Sequence, residues 1–214
     1  MNDNSNSSIF TFNVCSGIKR NCPNVILDAE ELKHKLKEII TAEDLSSYLI
    51  DGHKGRILPH FKFRIGIAGC PNGCSRPQVM DLSLLARIRP KVEGENCISC
   101  GKCVDACKET AIKLNDDKIP VVNYERCFLC GDCIKSCPVN SIIGTKQGWS
   151  FAIGGKLGRH PQFAIKLSEL MSTEKIMDIF PDLIKFYNQQ RKGKEKLALV
   201  VNRLGIERIR EELL

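Results

Sequence analysis

Twelve cysteines among 214 residues are the chemistry this sequence advertises. Eight of them fall in two copies of one spacing, CISCGKCVDAC at 97–107 and CFLCGDCIKSC at 127–137. The copies coincide at every cysteine and at Gly101 and Gly131, with an offset of 30 residues. Each is followed by a small residue and an isoleucine, Ala111–Ile112 and Ser141–Ile142. Three thiolates on one tight loop suit three corners of an iron–sulfur cube, and a remote fourth closes it. So tight a loop needs small residues, which Gly101 and Gly131 supply. A pair of zinc sites is the alternative, although zinc ribbons favour paired C-x2-C knuckles over runs of four cysteines.

Four cysteines remain, Cys15, Cys22, Cys70 and Cys74, which is one further cluster's worth. On a helix, Cys70 and Cys74 at i and i+4 would point the same way. Pro71 and Gly73 argue instead for a turn that leads into a helix, with both sulfurs at its mouth. The free N–H groups of a helix start would favour anionic sulfur there. An oxidised disulfide framework is a weaker use for these cysteines. The opening MNDNSNSSIF is polar and carries an acid in place of a basic n-region, so it does not read as a secretion signal. The expected compartment is the cytoplasm, where thiols stay reduced.

The repeated block resembles the two-cluster ferredoxins of bacteria. That arrangement implies cross-ligation: Cys97, Cys100, Cys103 and Cys137 for one cluster, Cys127, Cys130, Cys133 and Cys107 for the other. Pro138 follows Cys137 as in that pattern, whereas Lys108 stands where the first copy would have proline. The segments VCSGIKRNCPN and FKFRIGIAGCPNGCSRPQVMDLSLLA resemble the cluster half of sirohaem-dependent sulfite and nitrite reductases. A ferredoxin module inserted after that motif is similar to the dissimilatory and anaerobic sulfite reductase subunits. The resemblance implies that Cys15, Cys22, Cys70 and Cys74 hold one 4Fe–4S cluster and that Cys74 can bridge to sirohaem iron. It also implies that Lys62 and Arg64 grip an oxyanion, sulfite or nitrite. Lys156 and Arg159, in the loop GGKLGRHP, would meet macrocycle carboxylates. His160 beside them is either a donor or a packed surface histidine. Lys62 and Arg64 also have a plain reading, as the solvated face of an amphipathic strand. The first pair is spaced C-x6-C where the family usually has C-x5-C. Family members carry a ferredoxin-like α/β half before the first cysteine. Only fourteen residues precede Cys15 here, so a partner chain supplying that half is expected.

The elements that must position these residues are partly legible. Asp28 with Glu31 forms a capping box ahead of Leu32, Leu36, Ile39 and Ile40 at helical spacing. Phe61, Phe63, Ile65 and Ile67 alternate with Lys62, Arg64, Gly66 and Ala68, the period of a strand. Leu82–Ile88 is compatible with a strand but ambiguous. Trp149–Ile153 reads as a short strand before the glycine-rich loop. Thr173–Gln190 is helical in pattern, with Pro181 expected to break or kink it. RLGIERIREEL resembles the family's C-terminal helix. The expected class is α+β: a sulfite-reductase-like cluster domain of mixed sheet and flanking helices, residues 9–92 plus 146–214. It carries an inserted two-cluster module at 93–145.

The formal charge is +7 with neutral thiols. Three clusters with their thiolates carry about −2 each, which brings the total to about +1. Basicity is thus no argument for nucleic acid, and aromatics at 6% leave little for base stacking. The longest apolar run, Leu197–Val201, is far too short to span a membrane. Lys185, Arg191, Lys192, Lys194 and Lys196 form either a docking face for an acidic redox partner or a solvated helix face. Three functions are in play. One is an electron-transfer protein with three 4Fe–4S clusters and no sirohaem, exchanging electrons with a redox partner protein. The second is a sirohaem-dependent reductase or reductase subunit, and the third an iron–sulfur scaffold or sensor.

Overall fold

The computed structural model describes residues 9–50 and 57–214. The polar stretch read above as no secretion signal lies, for residues 1–8, outside the described residues. Five strands form one mixed sheet in the order β1-β2-β3-β6-β7. They are β1 (Phe10–Val14), β2 (Phe63–Ala68), β3 (Leu82–Val92), β6 (Ile142–Ile153) and β7 (Ile165–Met171). Strands β1, β2 and β3 run parallel, while β6 and β7 are antiparallel to their neighbours. The mixed sheet with flanking helices is the α+β architecture that the sequence pattern implied.

A parallel pair needs a crossover. Between β1 and β2 it is helical, α1 (Ala29–Ala42) and α2 (Leu45–Ile50). The Asp28 carboxylate caps α1 by accepting from the N–H groups of Glu30 and Glu31. Leu32, Leu36 and Ile40 lie buried on one face of α1. Between β2 and β3 the connection is a loop. It doubles back across the sheet, and its single 3-10 turn at Pro77–Val79 lies against β2. A Cβ on Gly66 would sit 2.5 Å from the Cα of Pro77, so only glycine admits this cover.

The opposite face is packed by α1, α2, α5 (Thr173–Gln190), α6 (Leu197–Leu204) and α7 (Ile206–Leu213). Ile65, Ile67, Leu82, Leu84, Trp149, Phe151 and Phe180 are fully buried there. Pro181 corrects the sequence expectation, since α5 runs unbroken through it. Pro181 is buried among Ile176, Ile179, Phe180, Leu183 and Ile184, and burial of that face outweighs the missing hydrogen bond. The C-terminal segment is two helices, α6 and α7, because Gly205 at φ +83° interrupts it. Among the described residues no helix is long and apolar enough to cross a membrane.

Strands β3 and β6 are much longer than their sequence signals. They pair from Leu82↔Ile153 to Val92↔Ile142, with a register shift at Arg89/Pro90. Their far ends carry the segment that contains α3 (Lys102–Asp105), the hairpin of β4 (Ile112–Leu114) with β5 (Pro120–Val122), and α4 (Asp132–Ser136). This segment has a small core of its own in Cys103, Ile112, Cys133 and Ile142.

Candidate metal centres

The two copies of the repeat adopt one backbone. Ser99 and Leu129, Gly101 and Gly131, and Thr110 and Asn140 all take positive φ at matching positions. Val104 donates its N–H to the Gly101 carbonyl and Ile134 to that of Gly131, which starts α3 and α4. The Ala111 N–H points at Cys107 Sγ and the Ser141 N–H at Cys137 Sγ, each at 3.2 Å. The Ser99 N–H approaches Cys97 Sγ at 3.4 Å. Such N–H groups favour an anionic sulfur.

The sulfurs converge across the copies. Cys100 and Cys137 act electrostatically on Cys103, and one apolar cavity is lined by Cys97, Cys100, Cys103 and Cys137. Cys130, Cys127 and Cys107 act on Cys133, and a second cavity is lined by Cys107, Cys127, Cys130 and Cys133. Burial, then the neighbouring cysteines, pushes the Cys133 thiol up to about 12. Cys137 goes the other way: burial raises it, but the backbone N–H groups of residues 139–142 together hold it below the usual thiol value. Among the described residues no group of three or more His, Cys, Asp or Glu side chains is close enough to hold a single metal ion. Four soft thiols lining one cavity suit the corners of an iron–sulfur cube.

The other four cysteines gather at the carboxyl ends of two parallel strands, where open sheets place their ligands. Cys15 follows β1 and Cys70 follows β2. The Cys15 N–H donates to Ile67 O (2.9 Å), and the Ser75 hydroxyl donates to the same carbonyl (2.9 Å). The Asn13 amide donates to Ser75 O (2.7 Å), which draws the Cys74–Ser75 backbone to β1. The Cys22 N–H closes on Gly17 O, and the N–H groups of Ile26 and Leu27 donate to Gly69 O. The loop from Cys15 to Leu27 is thereby fastened to the start of the Cys70 turn. Burial raises the Cys70 thiol; the Asn72 N–H opposes this, and Cys15, Cys22 and Cys74 add to it from close range. Cys70 is buried, Cys15 and Cys22 half-buried, and Cys74 exposed. The turn from Cys70 does not enter a helix. Arg76 takes the left-handed conformation and a single 3-10 turn follows, so no row of helix N–H groups faces these sulfurs.

The cations lie elsewhere. Lys62 and Arg64 stand at the start of β2, at the strand end opposite Cys70. Arg64 Nε donates to the buried Asp81 carboxylate (2.9 Å), and its NH2 group donates to Gly155 O (3.2 Å). Lys62 lines a small polar pocket with His60, Asp81, Arg191, Lys194 and Lys196. Burial lowers Lys196; Asp81 opposes this, while Arg64 and Lys156 add to it, so these four charges lie together. Sequence reasoning used Asp81 nowhere and placed Lys196 only in a basic run, yet both belong to this cluster. Lys156 is paired with Gln162 in a short bridge, and Arg159 and His160 stand exposed in the loop between them. Of the basic run, Lys185 is paired with Glu43, and Arg191 donates to the Tyr48 and Leu49 carbonyls.

Residues 7–214 match the nitrite and sulphite reductase 4Fe-4S domain family. The chain is 37% identical over 177 residues to the coenzyme F420-dependent sulfite reductase of Methanocaldococcus jannaschii, covering 82% of this chain and 28% of that protein. The fold is similar to dissimilatory sulfite reductase I, with a TM-score of 0.65 and 18% identity over 97% of this chain and 52% of that one. The Mycobacterium tuberculosis NirA protein is more distant, with a TM-score of 0.51 and 18% identity over 95% of this chain and 26% of that one. The chain thus spans about a quarter of its curated relative and half of its structural neighbour.

Proposed function

We propose, for a chain that belongs to the nitrite and sulphite reductase 4Fe-4S domain family, that it relays single electrons through three 4Fe–4S clusters. The outer cluster takes Cys97, Cys100, Cys103 and Cys137. The middle one takes Cys107, Cys127, Cys130 and Cys133, and the inner one Cys15, Cys22, Cys70 and Cys74. Residues 93–145 form the two-cluster module, and 9–92 with 146–214 form the domain that holds the inner cluster.

One observation carries the order. The cavity of the middle set is lined also by Pro71 and Asn72, two of the three residues between Cys70 and Cys74. The cavity of the outer set is lined by Leu114, Pro120 and Val139, on the hairpin side of the module. Lys135 of α4 donates to Asn24 beside Cys22 (3.3 Å), which supports the same docking. Electrons from a redox partner protein enter at the outer cluster, where Cys100 and Ile98 are exposed. They leave through the inner one. EPR of the fully reduced protein tests this order. The middle signal should be split by coupling to both neighbours and should simplify in Cys74→Ser; three magnetically independent clusters would refute it.

A second reading is favoured by the exposed Cys74. The chain would then be part of a sirohaem-dependent reductase, in which Cys74, Lys156, Arg159 and His160 would be the residues that hold the macrocycle. When bound, sirohaem would supply multi-electron reduction of sulfite or nitrite. Lys62 and Arg64 stand at the strand end opposite Cys70, and Arg64 is held by Asp81 and Gly155, so neither lies beside Cys74 to meet the anion. Arg159 and His160 are exposed, so a partner chain has to close the site. Sirohaem bands in the visible spectrum after expression in a sirohaem-producing host support this reading; their absence in a complex with the partner overturns it.

A further inference from the structure

Arg87 is the most deeply buried cation among the described residues, and no role assigned so far uses it. It lies on β3, and strand alternation puts it on the face of Ser83 and Leu85, opposite the helix-packed Leu82, Leu84 and Ala86. That face meets the loop of the middle cluster. Arg87 NH1 donates to Phe128 O (3.0 Å), and the guanidinium stacks 3.8 Å above the centre of the Phe128 ring. The next residue, Ile88, donates its N–H to Leu129 O (2.9 Å). Phe128 and Leu129 are the two residues between Cys127 and Cys130. The strand therefore grips the ligand loop at both of its intervening peptides.

The charge on Arg87 is poorly compensated. Its Nε is buried without a hydrogen bond. The nearest carboxylate, Glu169, lies 4.0 Å from Nε, is partly exposed and is shared with Lys166. Burial lowers the guanidinium to about 10, and the nearby Cys130 opposes that shift, so Arg87 stays cationic at neutral pH. A buried cation costs several kcal/mol unless something nearby offsets it. The anionic thiolates and cluster at Cys127 and Cys130 are the charges that would do so.

We propose that Arg87 is a positioning residue that sets the reduction potential of the middle cluster. The inference rests on the three-cluster reading. Reduction adds one negative charge to the cluster, and a fixed buried cation beside it favours that state. Arg87 therefore raises the middle potential, which draws the electron off the outer cluster towards the inner one. Arg89 supplies a control on the same strand. It stacks on Tyr124 at 4.0 Å but is exposed, so water and salt screen it.

The test is an EPR-monitored redox titration of the anaerobically reconstituted protein, with iron content measured on each sample. Arg87→Met should shift the oxidised-to-reduced equilibrium of the middle cluster about tenfold towards the oxidised form, about 59 mV lower for one electron. Arg87→Lys should keep most of the potential. Arg89→Met should shift it by less than about twofold. Glu169→Gln removes the competing carboxylate and should move the same potential upward. It stays decisive if Arg87→Met loses the cluster, because Glu169 is partly exposed. Full iron content with unchanged middle potentials in Arg87→Met and Glu169→Gln would overturn the inference and leave the three-cluster reading standing. A wild-type protein without the middle cluster would instead sink that reading.

Discussion

The segment between β3 and β6 and the main sheet solve the same problem, gathering sulfurs in sets of four, in opposite ways. In the segment each set takes three cysteines from one loop, and positive-φ residues at 99, 101, 129 and 131 bend that loop without help from a large core. Two of its four core residues are themselves cysteines, Cys103 and Cys133. At the sheet edge the cysteines come from two loops some fifty residues apart in sequence, and a deep apolar core places them. The segment should thus depend on its metal for structure, whereas the sheet should hold its cysteines ready whether or not metal is bound.

Metal removal should separate the two regions most strongly. Chelation of all iron should leave amides of Leu82–Ala86 and Trp149–Ile153 protected in hydrogen exchange, while amides of 97–141 exchange freely. Equal loss in both regions would break the contrast. Next in size is Cys74→Ser. It should remove about four iron atoms per chain and leave the EPR signals of the other two clusters in place. Loss of all three together would show that the regions are not independent.

The glycines of the repeat sharpen the comparison within the segment. Gly101 faces open space, whereas a Cβ on Gly131 would come within 2.6 Å of Ile88 Cγ2. Both alanine variants bear the left-handed penalty of about 1–2 kcal/mol. Gly131→Ala adds about 1–3 kcal/mol of overpacking against β3. In thermal melts of the iron-loaded protein it should therefore be the less stable of the two. Asp28→Ala should have the smallest effect, about 1 kcal/mol of lost capping at α1, with iron content unchanged.

The same contrast explains what the sequence disclosed. The repeat is local, so its spacing marked both cluster loops, and the resemblance to bacterial ferredoxins assigned Cys137 to the first copy and Cys107 to the second. The four sheet-edge cysteines were grouped by number and by family resemblance. What joins them is a set of hydrogen bonds to the Ile67 and Gly69 carbonyls that no local pattern encodes. Pro181 misled because a local breaker was weighed without the buried face that overrides it. The Cys70 turn misled because proline and glycine mark a turn equally well before a helix or a 3-10 segment. Arg64 read as a free cation since its partner Asp81 lies 17 residues on, in the next strand connection. Arg87 had no signal beyond an arginine in a mostly apolar stretch, LSLLARI.

Iron and acid-labile sulfide per chain, measured after anaerobic reconstitution and removal of loosely bound metal, test the central claim most directly. Convergence of Cys15, Cys22, Cys70 and Cys74 on a third cube predicts about twelve of each. A plateau at about eight, with the two ferredoxin-type clusters intact, would contradict it.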